Sequence, residues 1–365
     1  MVGIGIIGSG VGIRTHVPGF IQTDRAELVA LYSPNSVKAK VLGARHGFRR
    51  VHESYQELCA DTDVDLVVVA SPNSFHFVQV KEALERGKHV LCEKPLSGSI
   101  EECEALADLA SARCSQITVV NHQLRYNPYF KELKRIISSG ELGSVFHARI
   151  FQQGNNGSDR SAPWSWSFDS DAGGGVRWAM GSHLVDLSTF LLGSAPAVVF
   201  GGLHTVVPVR YQEELPVDVN TSLEFSGAMM QADGANVFIS AVTAGHSGFK
   251  FEIDVYMEHG QAHFDLDSKL TIYRDRGSRV DRLKEIPDLK PGELDNTASL
   301  FSGSFRYYAD ELLDAIVADV AMTPGGAPTF VDALATTRVL DAFLRSYRTG
   351  ESVQLSVPEY DRSSV

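Results

Sequence analysis

Val2-Gly3-Ile4-Gly5-Ile6-Ile7 runs directly into Gly8-Ser9-Gly10-Val11-Gly12, and Ile13-Arg14-Thr15-His16 follows. An apolar run that breaks into closely spaced glycines and reopens as a helical pattern reads as strand, tight turn and helix start. Such a turn aims the unpaired N–H groups and positive dipole of a helix N-terminus at one spot, which suits the diphosphate of a dinucleotide. In that reading Gly8 permits the turn, Gly10 lets backbone approach the diphosphate, and Val11 and Gly12 carry the chain into the helix. The third glycine comes one place early, with Ile13 where G-x-G-x-x-G would put it. A plain strand-to-helix turn is the competing reading of these residues.

Working outward, further apolar runs at 28–32, 64–70, 89–91 and 117–120 alternate with helical patterns over 13–22, 37–46, 75–86 and 100–112. Strands apolar throughout and separated by helices belong to a parallel sheet covered on both faces, and right-handed crossovers nearly fix its winding. The expectation for 1–122 is therefore an α/β fold, a Rossmann-type doubly wound parallel sheet that binds a dinucleotide. Beyond Asn127-Pro128, a cap and first-turn pair, the texture changes. Strand patterns dominate 144–274 around one helical segment, 174–192, and two late helices cover 305–318 and 330–347. Across 249–258, Phe249, Phe251, Ile253, Val255 and Met257 share one face, while Lys250, Glu252, Asp254, Tyr256 and Glu258 share the other. That alternation describes an α+β domain over 123–365 with a largely antiparallel open-faced sheet, suited to substrate binding and oligomer contacts.

Composition narrows the classes. The 365 residues are 44% hydrophobic and 21% charged, and 33 Lys+Arg against 45 Asp+Glu leave a net charge of −12. Disordered and fibrous classes are excluded, and the overall field repels nucleic acid and anionic membranes. Apolar runs such as 66–70 fall far short of the roughly 18 residues of a membrane span. Cys59, Cys92, Cys103 and Cys114 match neither a redox pair nor a zinc module, so no metal site is expected. The N-terminal strand has no leader pattern ahead of it, which predicts a cytoplasmic protein.

The carboxylate that would grip an adenosine ribose belongs about 20 residues after the glycines, at the end of the second strand. That position reads Tyr32-Ser33-Pro34-Asn35, with no carboxylate. Ser33, Asn35 and the amino group of Lys38 suit a 2′-phosphate instead, so NADP is expected in preference to NAD. The same three are also ordinary turn and helix-start residues.

At Ala70-Ser71-Pro72-Asn73 with His76, and at Gly87-Lys88-His89-Val90-Leu91-Cys92-Glu93-Lys94-Pro95, the chain resembles the Gfo/Idh/MocA oxidoreductases. These are NAD(P)-dependent enzymes acting on sugars, cyclitols and related polyols. The resemblance continues through Arg125-Tyr126-Asn127-Pro128, through Gly173-Gly174-Gly175 to Gly181-Ser182-His183 and Asp186, and into the last helix before Gly350. It implies that Lys94 sits at the nicotinamide and the substrate hydroxyl, that Glu93 lies near the nicotinamide ribose, and that Lys94–Pro95 is cis. It further implies that Ser71, Pro72, Asn73 and His76 line the cofactor, that Arg125 reaches the substrate, and that the protein is a homodimer or homotetramer. The residues agree, because Glu93-Lys94-Pro95 follows the run 89–91 and so lands at the carboxyl edge of the sheet, where open α/β folds bind ligands. A solvated lysine and a helix-start carboxylate are the bland alternatives.

His183 is the resemblance's acid/base, which a near-neutral imidazole can perform on a reacting hydroxyl. Four residues before it the family usually carries an Asp, and here Ala179 stands instead. Asp186, three residues on, is the helical neighbour left to orient the ring. Val176, Met180, His183 and Leu187 also lie at helical spacing, so a buried core histidine fits the same pattern. Asp169 and Asp171 are caps or site residues, and Trp164 and Trp166 are ring platforms or lid packing. The leading expectation is hydride transfer between NADP(H) or NAD(H) and a hydroxyl or keto carbon of a sugar, cyclitol or sugar-derived substrate. The alternative, raised by Ala179, is a nucleotide-binding sensor of the same fold, as in the fungal galactose-pathway repressor. A methyltransferase reading of the glycine turn explains none of the later motifs.

Overall fold

The computed structural model describes residues 1–155, 157–170, 172–277, 279–283, 297–320 and 326–356. The chain forms two compact units, one of Met1–Asn127 with Phe301–Thr337, the other of Pro128–Leu300 with the described residues from Arg338 to Ser356.

The first unit holds a six-strand sheet of β1 (Val2–Ile7), β2 (Ala26–Tyr32), β3 (Arg50–Val51), β4 (Leu66–Val69), β5 (His89–Cys92) and β6 (Thr118–Val120). Their order is β3-β2-β1-β4-β5-β6, and every pairing is parallel. The doubly wound sheet is thus as expected, with its strand order reversing between β1 and β4. Helices α1 (Val17–Ile21), α2 (Ser36–His46), α3 (Tyr55–Ala60), α4 (His76–Glu85) and α5 (Ile100–Ser111) make the crossovers. Helix α1 is entered through a π turn over Gly12–His16, in which Val17 N–H reaches back to Gly12 O. The sequence reading lacks β3 and α3. Both are short, yet the start of α3 is capped, since Ser54 Oγ accepts from Glu57 N–H and Glu57 Oε2 accepts from Glu53 N–H.

The second unit begins with α6 (Pro128–Ser139), β7 (Val145–Gln153), α7 (Ser182–Leu192) and β8 (Pro196–His204). A two-strand hairpin follows, β9 (Val209–Gln212) with β10 (Leu215–Asp218). The chain then continues through β11 (Glu224–Gln231), β12 (Asn236–Val242), β13 (Lys250–Met257), β14 (Gly260–Asp265), β15 (Lys269–Arg274) and β16 (Arg279–Leu283). With β17 (Val353–Gln354) these form a nine-strand sheet ordered β16-β15-β14-β13-β7-β12-β11-β8-β17, mixed because β7 and β12 run parallel and the other pairs antiparallel. The helical pattern at 174–192 settles into a π turn over Arg177–Gly181 followed by α7. On β13 the alternation holds, with Phe251, Ile253, Val255 and Met257 buried. Phe130 of α6 stacks on Phe251 at 5.7 Å and meets Phe264 edge-on at 4.9 Å, closing that face. On the opposite face Asp254 is also buried, because Arg149 (2.7 Å) and His263 (2.8 Å) cover its carboxylate.

Two late helices finish the chain, α8 (Thr297–Ala318) and α9 (Phe330–Thr349). Phe305, Tyr308, Leu312 and Leu313 of α8 share a core with Ile4, Ile6, Leu66, Val68, Val17 and Phe20 on one face of the parallel sheet. Phe330, Ala333 and Leu334, at the start of α9, join Val67, Val69, Val90, Val80 and Leu106 on the other. The rest of α9 belongs to the second unit, where Phe343 sits edge-on to Phe225 at 5.0 Å. That ring occupies the space a side chain would need at Gly201 or Gly227, on β8 and β11. No helix among the described residues is long and apolar enough to cross a membrane.

Because the fully buried Phe343 ring fills the hollow left by two glycines, Phe343→Ala is expected to destabilise the protein by about 3–5 kcal/mol. Chemical denaturation measures this, and a loss below about 1 kcal/mol would show that the hollow collapses without cost.

Candidate active site

Gly8 takes φ +117°, and a Cβ there would collide with Ala70 O at the end of β4. Its N–H donates to Tyr32 O at the end of β2, 2.8 Å away. The turn therefore sits where the strand order reverses, the position at which such sheets leave a crevice. A Cβ at Gly10 would meet nothing within 4 Å, so the backbone here is open to a ligand. At Gly12 it would lie 2.7 Å from Ile6 Cγ2, so this glycine, and not position 13, lets the helix lie close against β1. Open backbone at a helix start fits a diphosphate.

At the end of β2, Ser33 is buried and its Oγ lies 3.0 Å from Ser9 Oγ in the glycine turn. Asn35 caps α2, its Oδ1 accepting from Lys38 N–H at 2.9 Å, and the Lys38 side chain is exposed. Asn35 Oδ1 is thus engaged by the helix itself.

At the end of β5, Glu93 is buried among donors. Its Oε1 accepts from His16 Nε2 at 2.8 Å and from Asn121 Nδ2 at 2.7 Å, and its Oε2 from Lys94 N–H at 3.2 Å. Burial alone would push this carboxyl up, but the His16 bond and charge, the Lys94 ammonium and the Asn121 bond outweigh it and hold it down at about 2. Lys94 is half-buried, and loss of solvent pushes its ammonium below the usual lysine range while Glu93 opposes the shift. The Lys94–Pro95 bond is cis. Fully buried His76 ties two site loops together, Nδ1 lying 2.9 Å from Pro95 O and Nε2 2.9 Å from Ser71 O. Burial pushes its pKa down, against the pull of those carbonyls. Ser71 Oγ donates to Gln79 Oε1 at 2.7 Å, Pro72 is exposed, and Asn73 opens a 3-10 turn over Asn73–Phe75. Arg125, in the turn after β6, is buried 3.5 Å from Asp332 Oδ2 at the head of α9.

The first unit thus gathers the glycine turn, Ser33, the 71–76 loop, Glu93 and Lys94 around the carboxyl ends of β1, β2, β4 and β5. His16 and Asn121 escape the sequence reading. A polar residue four places after Gly12, on the same side of a helix that must pack on the sheet, was the available signal for His16.

His183 and Asp186 both lie in α7 of the second unit, and both are buried. Trp166 is 46% exposed in a 3-10 turn, and Asp169 accepts from Asn220 Nδ2 at 3.2 Å. Asp171 lies outside the described residues. Arg210, unremarked in the sequence, is fully buried and binds the carbonyls of Gly157, Asp159 and Ala162 while stacking 4.2 Å over Phe168. It fastens the loop that carries Trp164 and Trp166. No group of three His, Cys, Asp or Glu among the described residues is placed to hold a metal ion.

Residues 2–122 match the oxidoreductase family with an NAD-binding Rossmann fold, and residues 130–263 match the Gfo/Idh/MocA C-terminal domain. Fold and match together define an NAD-binding oxidoreductase. The chain belongs to the Gfo/Idh/MocA family. It is similar to glucose-6-phosphate 3-dehydrogenase of Bacillus subtilis, with 26% identity over 97% of this chain and 98% of that protein. Among solved structures, an oxidoreductase domain protein from Kribbella flavida superposes with a TM-score of 0.88 and 26% identity, covering 98% of this chain and 99% of that one. Levoglucosan dehydrogenase in complex with NADH and levoglucosan has the same fold, with a TM-score of 0.85 at 22% identity, covering 98% of this chain and 100% of that one.

The depressed Glu93 carboxyl sets an acid dependence. Its folded-state pKa lies below the ordinary 4.5, so its contribution to stability is complete above about pH 4.5 and is lost as pH falls toward 2. Thermal unfolding of the wild type and Glu93→Gln is expected to differ most above pH 4.5 and to converge by pH 2. A gap that is constant across this range would mean that Glu93 is not held ionised.

Proposed function

We propose that this protein transfers a hydride between a nicotinamide coenzyme and a hydroxyl or keto carbon of a sugar, cyclitol or sugar-derived substrate. The observation that carries the reading is the buried, triply bonded Glu93 beside half-buried Lys94 at the carboxyl end of β5, next to the open glycine turn. Named relatives that act on glucose 6-phosphate and 1,5-anhydro-D-fructose support the substrate class.

The glycine turn at Gly8, Gly10, Val11 and Gly12 would hold the diphosphate, with Ser71, Pro72 and Asn73 beside it and His76 bracing them. Glu93 would bind the nicotinamide ribose. Bound there, the coenzyme supplies or accepts the hydride. The Lys94 ammonium donates to the reacting oxygen and offsets negative charge on it as the C–O bond changes order. His183 holds the proton of that hydroxyl, oriented by Asp186 in place of the carboxylate missing at position 179. Arg125 and Trp166 contribute substrate contacts. The exposed Phe200, Met230 and Phe238 of the nine-strand sheet suit assembly into a homodimer or homotetramer.

With coenzyme and a panel of sugars and inositols, His183→Ala is expected to reduce turnover by on the order of 10²–10⁴ with coenzyme affinity nearly intact. Lys94→Ala is expected to cost on the order of 10³ or more, since it removes both charge and orientation. An active Lys94 variant contradicts the mechanism, and tight coenzyme binding without turnover across the panel favours a sensor.

The coenzyme proposed is NADP in preference to NAD. With Asn35 Oδ1 capping α2, a 2′-phosphate would rely on the Ser33 hydroxyl, the Asn35 amide nitrogen and Lys38. Fluorescence titration of Lys38→Ala should weaken NADPH binding by roughly tenfold and leave NADH binding unchanged. A wild-type preference for NADH would overturn this choice.

A further inference from the structure

We infer that His16 is a positioning residue, a buried strut that fixes the Glu93 carboxylate relative to the glycine turn and thereby couples coenzyme binding to the placement of Lys94. The inference rests on the coenzyme reading above and adds a residue to it.

The His16 ring has no exposed surface and makes one hydrogen bond, from Nε2 to Glu93 Oε1. A carboxylate can only accept, so Nε2 carries the proton in that bond. Nδ1 has no hydrogen-bond partner among the described residues. The ring is held on its other side by packing alone, edge-on to Phe305 of α8 with centroids 4.5 Å apart. Phe305 in turn fills the space beside Gly19 and meets Phe20 edge-on at 5.4 Å. A histidine that served only the core would be an expensive choice there, because an apolar residue would leave no orphaned nitrogen.

Its place in the chain explains what the strut connects. His16 ends the π turn that begins at Gly12, and Gly12 is seated against Ile6 of β1. The ring therefore carries the position of the glycine turn, across the carboxyl end of the sheet, to Glu93 at the end of β5. The terminal torsion of a glutamate is soft, so two donors on Oε1 determine where Oε2 points, and Oε2 receives the Lys94 N–H. Without the His16 bond, Asn121 and the Lys94 N–H still hold the carboxylate, but Oε1 loses the donor that ties it to the glycine turn.

The charged and titratable groups facing Glu93 are His16, Lys94, His76 and the Cys92 thiol. Loss of the His16 donor raises the pH at which Glu93 protonates. Glu93 also supports the Lys94 ammonium, but at the alkaline pH where Lys94 loses its proton Glu93 is ionised with or without His16. The acid limit of coenzyme binding should therefore move to higher pH, with the alkaline limit unchanged.

The test compares His16→Gln with His16→Asn and His16→Leu in the full chain. Glutamine reaches Glu93 with an N–H, asparagine is one carbon too short, and leucine has no donor. NADH and NADPH dissociation constants are measured by fluorescence between pH 5 and 9, and thermal unfolding of the coenzyme-free proteins is followed across acid pH. Asn and Leu should each weaken coenzyme binding about tenfold and move both its acid limit and the acid loss of stability to higher pH, while Gln stays within about threefold of wild type. If Leu does not fold, the Gln–Asn pair decides. Equal affinities and pH profiles for Gln and Asn overturn the strut, as does a Leu variant that folds and binds like wild type. Failure of the wild type to bind either coenzyme defeats the coenzyme reading itself, whereas normal wild-type binding with indifferent variants defeats only the role of His16.

Discussion

A carboxylate taken out of water at the end of a strand is unstable unless donors replace its hydration, and Glu93 is such a group. His16, Asn121 and the Lys94 N–H supply them, from the helix after β1, from just beyond β6 and from the next peptide. Meeting that one requirement fixes three segments far apart in the chain against each other at the carboxyl edge of the sheet. His76 adds a second tie, between the loops after β4 and β5. Lys94 projects from a backbone held on both sides, which a transfer reaction sensitive to small displacements demands.

Both helices that carry proposed site histidines open with a wide turn, Gly12–His16 before α1 and Arg177–Gly181 before α7. A π turn holds one more residue than an α turn and shifts every following side chain around the axis. In the first unit this accounts for the glycine that comes one place early. Gly12 lies against Ile6, and the wider turn still delivers a side chain, His16, to Glu93. The first turn ends on His16 and the second lies two residues ahead of His183, in keeping with the frequent occurrence of such turns at sites.

The parallel sheet was legible because its strands are buried on both faces and are therefore apolar without interruption, as Leu66–Val69 shows. The open sheet was legible at β13, where one face meets Phe130 and the other carries Lys250, Glu252, Asp254 and Tyr256. Less could be read where local pattern and tertiary role part company. Asp254 looks like a solvated residue and is buried by Arg149 and His263. Arg210 carries no signal in the sequence, yet its guanidinium fastens three carbonyls of a loop some 50 residues earlier in the chain. His16 has a short-range spacing, but its partner lies 77 residues away, and nothing local encodes that distance.

The return of 301–337 to the first unit has a consequence for biosynthesis. As the ribosome extends the chain, all six parallel strands emerge by residue 120, yet Phe305, Tyr308 and Leu312, and later Phe330, are still untranslated. Until they appear, hydrophobic patches on both sides of that sheet remain wet, and an N-terminal fragment would carry them permanently. The nascent protein must therefore keep a sticky, incomplete nucleotide-binding half out of trouble while nearly two hundred further residues are made, which makes it a natural client for chaperones that cover apolar surface.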